Sequence, residues 1–240
     1  MCRRLRFILM SRVSGLRICT NNTIREVKTL ILDVSVIGLI AVSYLAGSVS
    51  FAVVVSRVMV LPSPYTYGSE NPGATNVLRT GNKLAALLTL LGDAAKGFFA
   101  VRCLPEWILT EALWSGYEWA VGFALIGVLL GHVFPLFHAF KGGKGVATAA
   151  GGLLALDFHV GFSVLLIWLI VSVVSRYSSL AALCATLMAP LIVFWHLDSL
   201  ELAGLTLVVS VILTLRHKKN IVNLLNGVES KIGKKDKSSL

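Results

Sequence analysis

Apolar runs separated by polar stretches set the pattern of this 240-residue chain. Six of the runs are long, about 31–59, 83–104, 117–140, 158–175, 178–196 and 199–215. A shorter run rich in Gly and Ala covers about 145–156. Crossing the hydrocarbon of a bilayer as a helix takes roughly 20 apolar residues, because about 30 Å must be covered at about 1.5 Å per residue. Backbone groups in lipid need internal partners, so helices are the expected solution. The pattern predicts an all-α polytopic membrane protein with about seven transmembrane helices, one of them short. The short run reads as a half-span or as a short buried helix; without it the count is six.

Charge favours seven. With the first crossing entering from outside, one face carries Arg79, Lys83, Lys141, Lys144, Arg176 and the tail from Arg216 to Lys237. The opposite loops carry Glu106, Glu111, Glu118, Asp157, Asp198 and Glu201. Lys and Arg mark the cytoplasmic side, which sets the N-terminus out and the C-terminus in. Six crossings would divide Lys141 and Lys144 from Arg176 and the tail. Residues 1–28, with seven Lys and Arg, fit this topology badly and read as a basic extension, peripheral on anionic lipid or carried from an upstream start codon. No apolar run of signal-peptide length separates those charges. The transmembrane domain is expected over 29–228 and a Lys-rich cytoplasmic tail over 229–240.

Composition agrees with the membrane reading. Residues of the AVILMFWYC set make up 56% of the chain and charged residues 14%, against roughly 25% charged in soluble domains. Mean hydropathy is +0.80. These values exclude an ordinary cytosolic enzyme, a disulfide scaffold and a disordered chain. The net charge of +10 would suggest nucleic acid in a soluble domain, but the basic residues cluster at the ends of apolar runs and report orientation instead. Cys2, Cys19, Cys103 and Cys184 have no paired spacing, and the histidines have no metal-ligand spacing, so no metal and no cofactor is expected.

Three polar stretches then fall on the cytoplasmic face. The first is the loop 62–82, containing G-S-E-N-P-G-A-T-N-V-L-R-T-G from Gly68 to Gly81. Ser69, Asn71, Thr75 and Asn76 supply short polar groups there, and Arg79 can hold a phosphate through two parallel hydrogen bonds. The second is K-G-G-K-G-V-A-T, Lys141 to Thr148. Gly142, Gly143 and Gly145 free the backbone to aim N–H groups at an anion, Lys144 adds a point charge, and Thr148 falls in the first turn of the next helix. It is not a Walker loop, which needs Gly where His138 stands and Ser or Thr where Gly145 stands. The third is R-H-K-K-N-I-V-N-L-L-N-G-V-E, Arg216 to Glu229, where His217 and Asn220 share a helix face. Taken singly, each also reads as a turn or a capped helix end. Asp93 and Lys96 lie within the second crossing on one helix face, as a structural ion pair or as substrate contacts. Gly127 and Gly131 form a small-x-x-x-small pair for close helix packing. His132, His138, His159 and His196 read as interface or core residues.

In their order, G-S-x-N-x-G-A-T-N-x-x-R, D-x-x-K-G, G-H-x-F-P-x-F-x-x-F-K-G-G-K-G-V-A-T and R-H-x-x-N-I-x-x-L resemble the bacterial acyl-phosphate-dependent glycerol-3-phosphate acyltransferases. Tyr44 to Ser50, Y-L-x-G-S-x-S, fits as well, and the resemblance covers about 40–225. It implies a multi-pass inner-membrane enzyme that moves a fatty acyl group from acyl phosphate to the 1-position of sn-glycerol 3-phosphate. The products would be lysophosphatidic acid and phosphate, in the first step of phospholipid synthesis. Implied partners are the two substrates, membrane lipid and an upstream enzyme that forms acyl phosphate. Carried over by motif, Ser69, Arg79, Lys144, His217 and Asn220 form the catalytic set. Asn71, Thr75, Asn76, Lys96, Gly142, Gly143, Gly145 and Thr148 form the substrate-binding set. His217 and a substrate phosphate oxygen are both open as the proton acceptor. Glu70 stands where the family usually has Gly, and the basic extension is unlike the family.

Two rival readings are weaker. A small transporter of a phosphorylated metabolite would place polar groups near the midplane in repeated halves; here they sit at one interface. An acyl-CoA-type acyltransferase needs His-x-x-x-x-Asp, which none of the five histidines has.

Overall fold

Residues 34–109 and 119–232 are described by the structure, a computed structural model. Expectations for residues 1–28 and for the tail beyond 232 lie outside them. The chain divides into two units, Met1–Gly38 and Leu39–Leu240. Of the first, 34–38 is helical. The second holds α1 (39–47), α2 (Phe51–Val58), α3 (Ala74–Val77), α4 (Lys83–Arg102), α5 (Leu104–Ile108), α6 (Ala120–Val133), α7 (Val146–Leu156), α8 (Phe158–Ser175), α9 (Ser178–Leu197), α10 (Leu200–Arg216) and α11 (Lys218–Leu225). Among the described residues every regular element is helical.

Each of the apolar runs is a helix or a pair of helices. Five spans are long and apolar enough to cross a bilayer: Val34–Val58, Lys83–Ile108, Ala120–His138, Phe158–Ser175 and Ser178–Leu197. A sixth is α10 taken with α11, bent by 60°. The remaining run, α7, has 11 residues and so reaches about 16 Å, roughly half the hydrocarbon. Thr148, Ala149, Gly151, Gly152 and Leu153 bury it against its neighbours. Local chemistry sets the helix starts. Asn82 Oδ1 accepts from Ala85 N at 3.0 Å, Asp157 Oδ1 from Val160 N at 2.9 Å and Ser199 Oγ from Leu202 N at 3.2 Å.

Small residues let the helices close on one another. A Cβ on Gly97 would strike Thr148 O, and one on Gly151 would strike Ala94 O, so α4 and α7 meet backbone to backbone. Gly127 and Gly131 press on Ile40 O and Tyr44 O of α1, the packing role their spacing implies. Leu87, Leu91, Leu169, Val174, Leu191, Trp195 and Leu215 are exposed, which suits side chains facing lipid.

The first span is not continuous. The helix stops after residue 47 and resumes at Phe51, leaving carbonyls unpaired in apolar surroundings. Lys96 supplies their partner: Nζ donates to Gly47 O at 3.0 Å and to Val49 O at 2.6 Å, and lies 3.0 Å from Asp93 Oδ1. Of the two roles open to Asp93 and Lys96 on sequence grounds, the structural one describes these contacts.

Candidate active site

The loop after α2 is organised by one amide. Asn76, 2% exposed, accepts from Ser69 N at 3.0 Å and donates to Pro64 O at 2.9 Å and Tyr67 O at 3.2 Å. Gly68 adopts φ +59°, and a Cβ there would strike Asn76 Oδ1 and lie 2.8 Å from Arg79 Cδ. Ser69, Thr75 and Arg79 are left on the exposed side, with Asn71 half-buried. Arg79 Nη2 donates to Ser230 Oγ at 2.8 Å.

The Gly-rich turn lies between α6 and α7. Ala139 and Phe140 are left-handed, and Gly145 at φ +90° ends the turn just before α7. Gly143 N donates to His132 O at 3.1 Å. The turn is tied to both other stretches. Tyr65 Oη donates to Lys141 O at 2.8 Å, and Arg216 Nη2 donates to Gly142 O at 2.9 Å. Arg216 also stands 5.9 Å over the Phe134 ring.

The third stretch turns a corner between α10 and α11, with His217 at the bend and 2% exposed. His217 Nδ1 is 2.7 Å from Leu213 O. A carbonyl only accepts, so Nδ1 carries the proton and Nε2 of the neutral ring keeps its lone pair. Asn220 Nδ2 donates to Glu229 Oε1 at 2.7 Å, and Ser179 Oγ donates to the same oxygen at 2.6 Å.

Lys144 sits where the three meet. It is half-buried and interacts electrostatically with Glu229, Arg79 and Arg216. Loss of water pushes its ammonium down to about 8; Glu229 opposes that shift, while Arg79 and Arg216 add to it. His217 lies within the fields of Lys144, Glu229 and Arg216. An excess of fixed positive charge around a half-buried ammonium is suited to holding phosphate.

Arg79, Lys144, His217 and Asn220 therefore converge, with Gly142, Gly143 and Gly145 shaping the turn between them. Asn76 differs from the expected substrate contact in that its amide is spent within its own loop. Lys96 and Thr148 lie behind the turn; Lys96 is 6% and Thr148 0% exposed, and Thr148 Oγ1 is 3.2 Å from His132 Nδ1. Glu229, Ser179, Tyr65, Arg216 and Ser230 join the site although the sequence singled out none of them as a site residue. Glu229 and Arg216 closed and opened the third stretch, but nothing in their spacing told an inward carboxylate from a solvated one. Residues 229–232, assigned to the tail on sequence grounds, are bound to the body: Ile232 N donates to Arg176 O at 2.7 Å. Glu70 is exposed at φ 55°, on the outside of its turn. Among the described residues no three His, Cys, Asp or Glu gather as a metal site.

Comparison with known proteins adds an independent line. A family profile described as Glycerol-3-phosphate acyltransferase matches residues 37–227. Curated relatives of that name include one from Ralstonia pickettii (strain 12J), 53% identical over 197 residues, covering 82% of this chain and 94% of the relative. Another, from Bordetella pertussis (strain Tohama I), is 53% identical over 203 residues, covering 82% of this chain and 92% of the relative. Among solved structures, a crystal structure of PlsY (YgiH), an integral membrane glycerol 3-phosphate acyltransferase in its glycerol 3-phosphate form, is similar at a TM-score of 0.75 and 33% identity, over 83% of this chain and 96% of that one. Its lysophosphatidic acid form is similar at 0.73 over the same shares.

Proposed function

The chain belongs to the glycerol-3-phosphate acyltransferase family, and on that footing we propose how its own residues carry out the transfer. It is a multi-pass membrane acyltransferase that acylates glycerol 3-phosphate to lysophosphatidic acid. The donor is acyl phosphate and the acceptor is the 1-hydroxyl. The hydroxyl oxygen attacks the acyl carbonyl carbon, the bond from that carbon to the phosphate oxygen breaks, and inorganic phosphate leaves. An acyl phosphate is already activated, so no protein nucleophile is needed.

The harder task is to hold two phosphate-bearing anions together, about −3 in total. Lys144 and Arg79 neutralise them and stabilise charge on the leaving phosphate, and the Gly142–Gly145 turn offers its N–H groups other than that of Gly143, which is bonded to His132 O. Ser69, Asn71 and Thr75 line the accessible side of the first loop, and Asn76 holds that loop in shape. Asn220, fixed by Glu229, orients substrate. The hydroxyl proton passes to His217 Nε2 or to a substrate phosphate oxygen, and proximity supplies much of the remaining acceleration.

The observation that carries this reading is the joining of the turn to both other stretches, through Tyr65 on one side and Arg216 on the other. We place the site on the cytoplasmic face of a bacterial inner membrane, with about seven transmembrane helices over 29–228 counting the short α7, N-terminus out and C-terminus in, following the distribution of Lys and Arg. The acyl chain lies among the helices, and a separate enzyme that makes acyl phosphate supplies the donor. Purified protein given glycerol 3-phosphate is expected to turn over acyl phosphate, releasing one phosphate per lysophosphatidic acid, and to leave acyl-CoA untouched. Turnover with acyl-CoA at a comparable rate would overturn the donor assignment.

A further inference from the structure

Behind the Gly-rich turn lies a group of buried polar side chains that the transfer chemistry does not use. Asp93, Lys96, His132 and Thr148 are 3%, 6%, 7% and 0% exposed. Polar groups buried this deeply are costly unless they serve one another or a site. Their contacts converge on one ring. His132 Nδ1 lies 3.2 Å from Thr148 Oγ1 and 3.6 Å from Asp93 Oδ1. Asp93 is held in turn by Lys96, which stitches the break in the first span. The opposite edge of the ring meets the turn itself. A Cβ on Gly143 would strike His132 Nε2 and lie 3.0 Å from Cε1, with Pro72 O of the first loop 2.7 Å away. Gly143 is thus held between the His132 ring below and the first loop above.

We infer that His132 is a positioning residue: its ring, held at Nδ1 by the Thr148 hydroxyl with Asp93 Oδ1 3.6 Å away, is the wedge that sets the height of Gly143 and so of the anion-binding groups on either side of it. This rests on reading the Gly142–Lys144 turn as the phosphate-binding turn. The contact at Nδ1 orients the ring and turns its Nε2 edge to the turn. A leucine would fill the same space without being fixed in rotation.

The test is steady-state kinetics of His132→Ala and His132→Gln, with both substrates varied and a thermal unfolding midpoint measured in detergent. In His132→Ala the KM for one of the two phosphate substrates is expected to rise by about tenfold or more while kcat stays within about threefold. His132→Gln, whose amide reaches the Nε2 position, is expected to return KM to within about threefold of the parent. Unchanged KM values in His132→Ala, or an equal loss of kcat with no change in KM, would overturn the inference. Should His132→Ala fail to fold, Thr148→Val serves, since it removes only the hydroxyl that holds Nδ1. An increase of about threefold or more in the same KM supports the wedge, and no change refutes it. Lys144→Ala assayed alongside separates the layers. Full activity in Lys144→Ala would sink the phosphate-turn reading, whereas an inactive Lys144→Ala beside normal His132 and Thr148 variants sinks only this inference.

Discussion

Lys144→Ala is expected to lower kcat/KM by about a thousandfold or more, equivalent to ~4 kcal/mol of transition-state stabilisation, while the protein still folds. A solvated lysine bound to phosphate would matter much less, because water screens such a pair to within about 1 kcal/mol. Lys144 is half-buried beside Arg79, Arg216 and Glu229, where its charge has lost much of its hydration. Its place in a turn rather than in a helix interface means that alanine removes the charge without opening a core cavity. The same residue sets an alkaline limit. With its pKa near 8, Lys144 is charged below that pH and neutral above it, so kcat/KM is expected to fall as pH rises through about 8. Bound phosphate favours the charged form, so the limb belongs to kcat/KM, which reports the free enzyme, and shifts upward in kcat. Lys144→Arg, where it retains activity, should lose the limb, because a guanidinium stays protonated throughout. An unmoved limb in that variant would assign the titration elsewhere.

Gly142→Ala is the second large effect, expected at about a hundredfold in kcat/KM. The added Cβ would strike His132 O and lie 2.5 Å from both Val133 O and Pro135 Cδ. Backbone carbonyls cannot swing aside as a side-chain tip can, so the turn itself must move. Two bonds depend on its position, Gly143 N to His132 O and Arg216 Nη2 to Gly142 O. A displacement of about 1 Å in groups that position substrate is enough for a loss of that size. Gly204→Ala is the control: nothing lies within 4 Å of its Cβ, in the helix Leu200–Arg216. It should keep parental activity and gain up to about 1 kcal/mol of stability. Equal activity in both variants would show that the turn has no tight geometry to lose.

The membrane spans were readable in the chain because apolar length is a one-dimensional property, and every long run became a helix. The break in the first span was not. Y-L-A-G-S-V-S is apolar enough to be read straight through, and the residue that makes the break tolerable, Lys96, lies almost fifty positions away. The fold-back at 229–232 escaped for the same reason. Glu-Ser-Lys-Ile, Glu229 to Ile232, reads as a solvated tail, and its partners Ser179, Arg79 and Arg176 belong to other elements. Within the candidate site, Lys144 and the glycines stood out because their chemistry is local: three glycines and a cation within four residues form a tight turn carrying a charge. Asn76 and Thr148 show the limit. A polar residue in a motif signals that its hydrogen bonds matter but not whether they point to substrate or to the loop that holds it.

A crystal structure of the protein with glycerol 3-phosphate bound addresses the central claim most directly. The phosphate is expected within about 3 Å of Lys144 Nζ, beside Gly142 and Gly143 and facing Arg79. Finding it instead at the other end of the helices, near Asp157, His159, His196 and Asp198, would contradict the account.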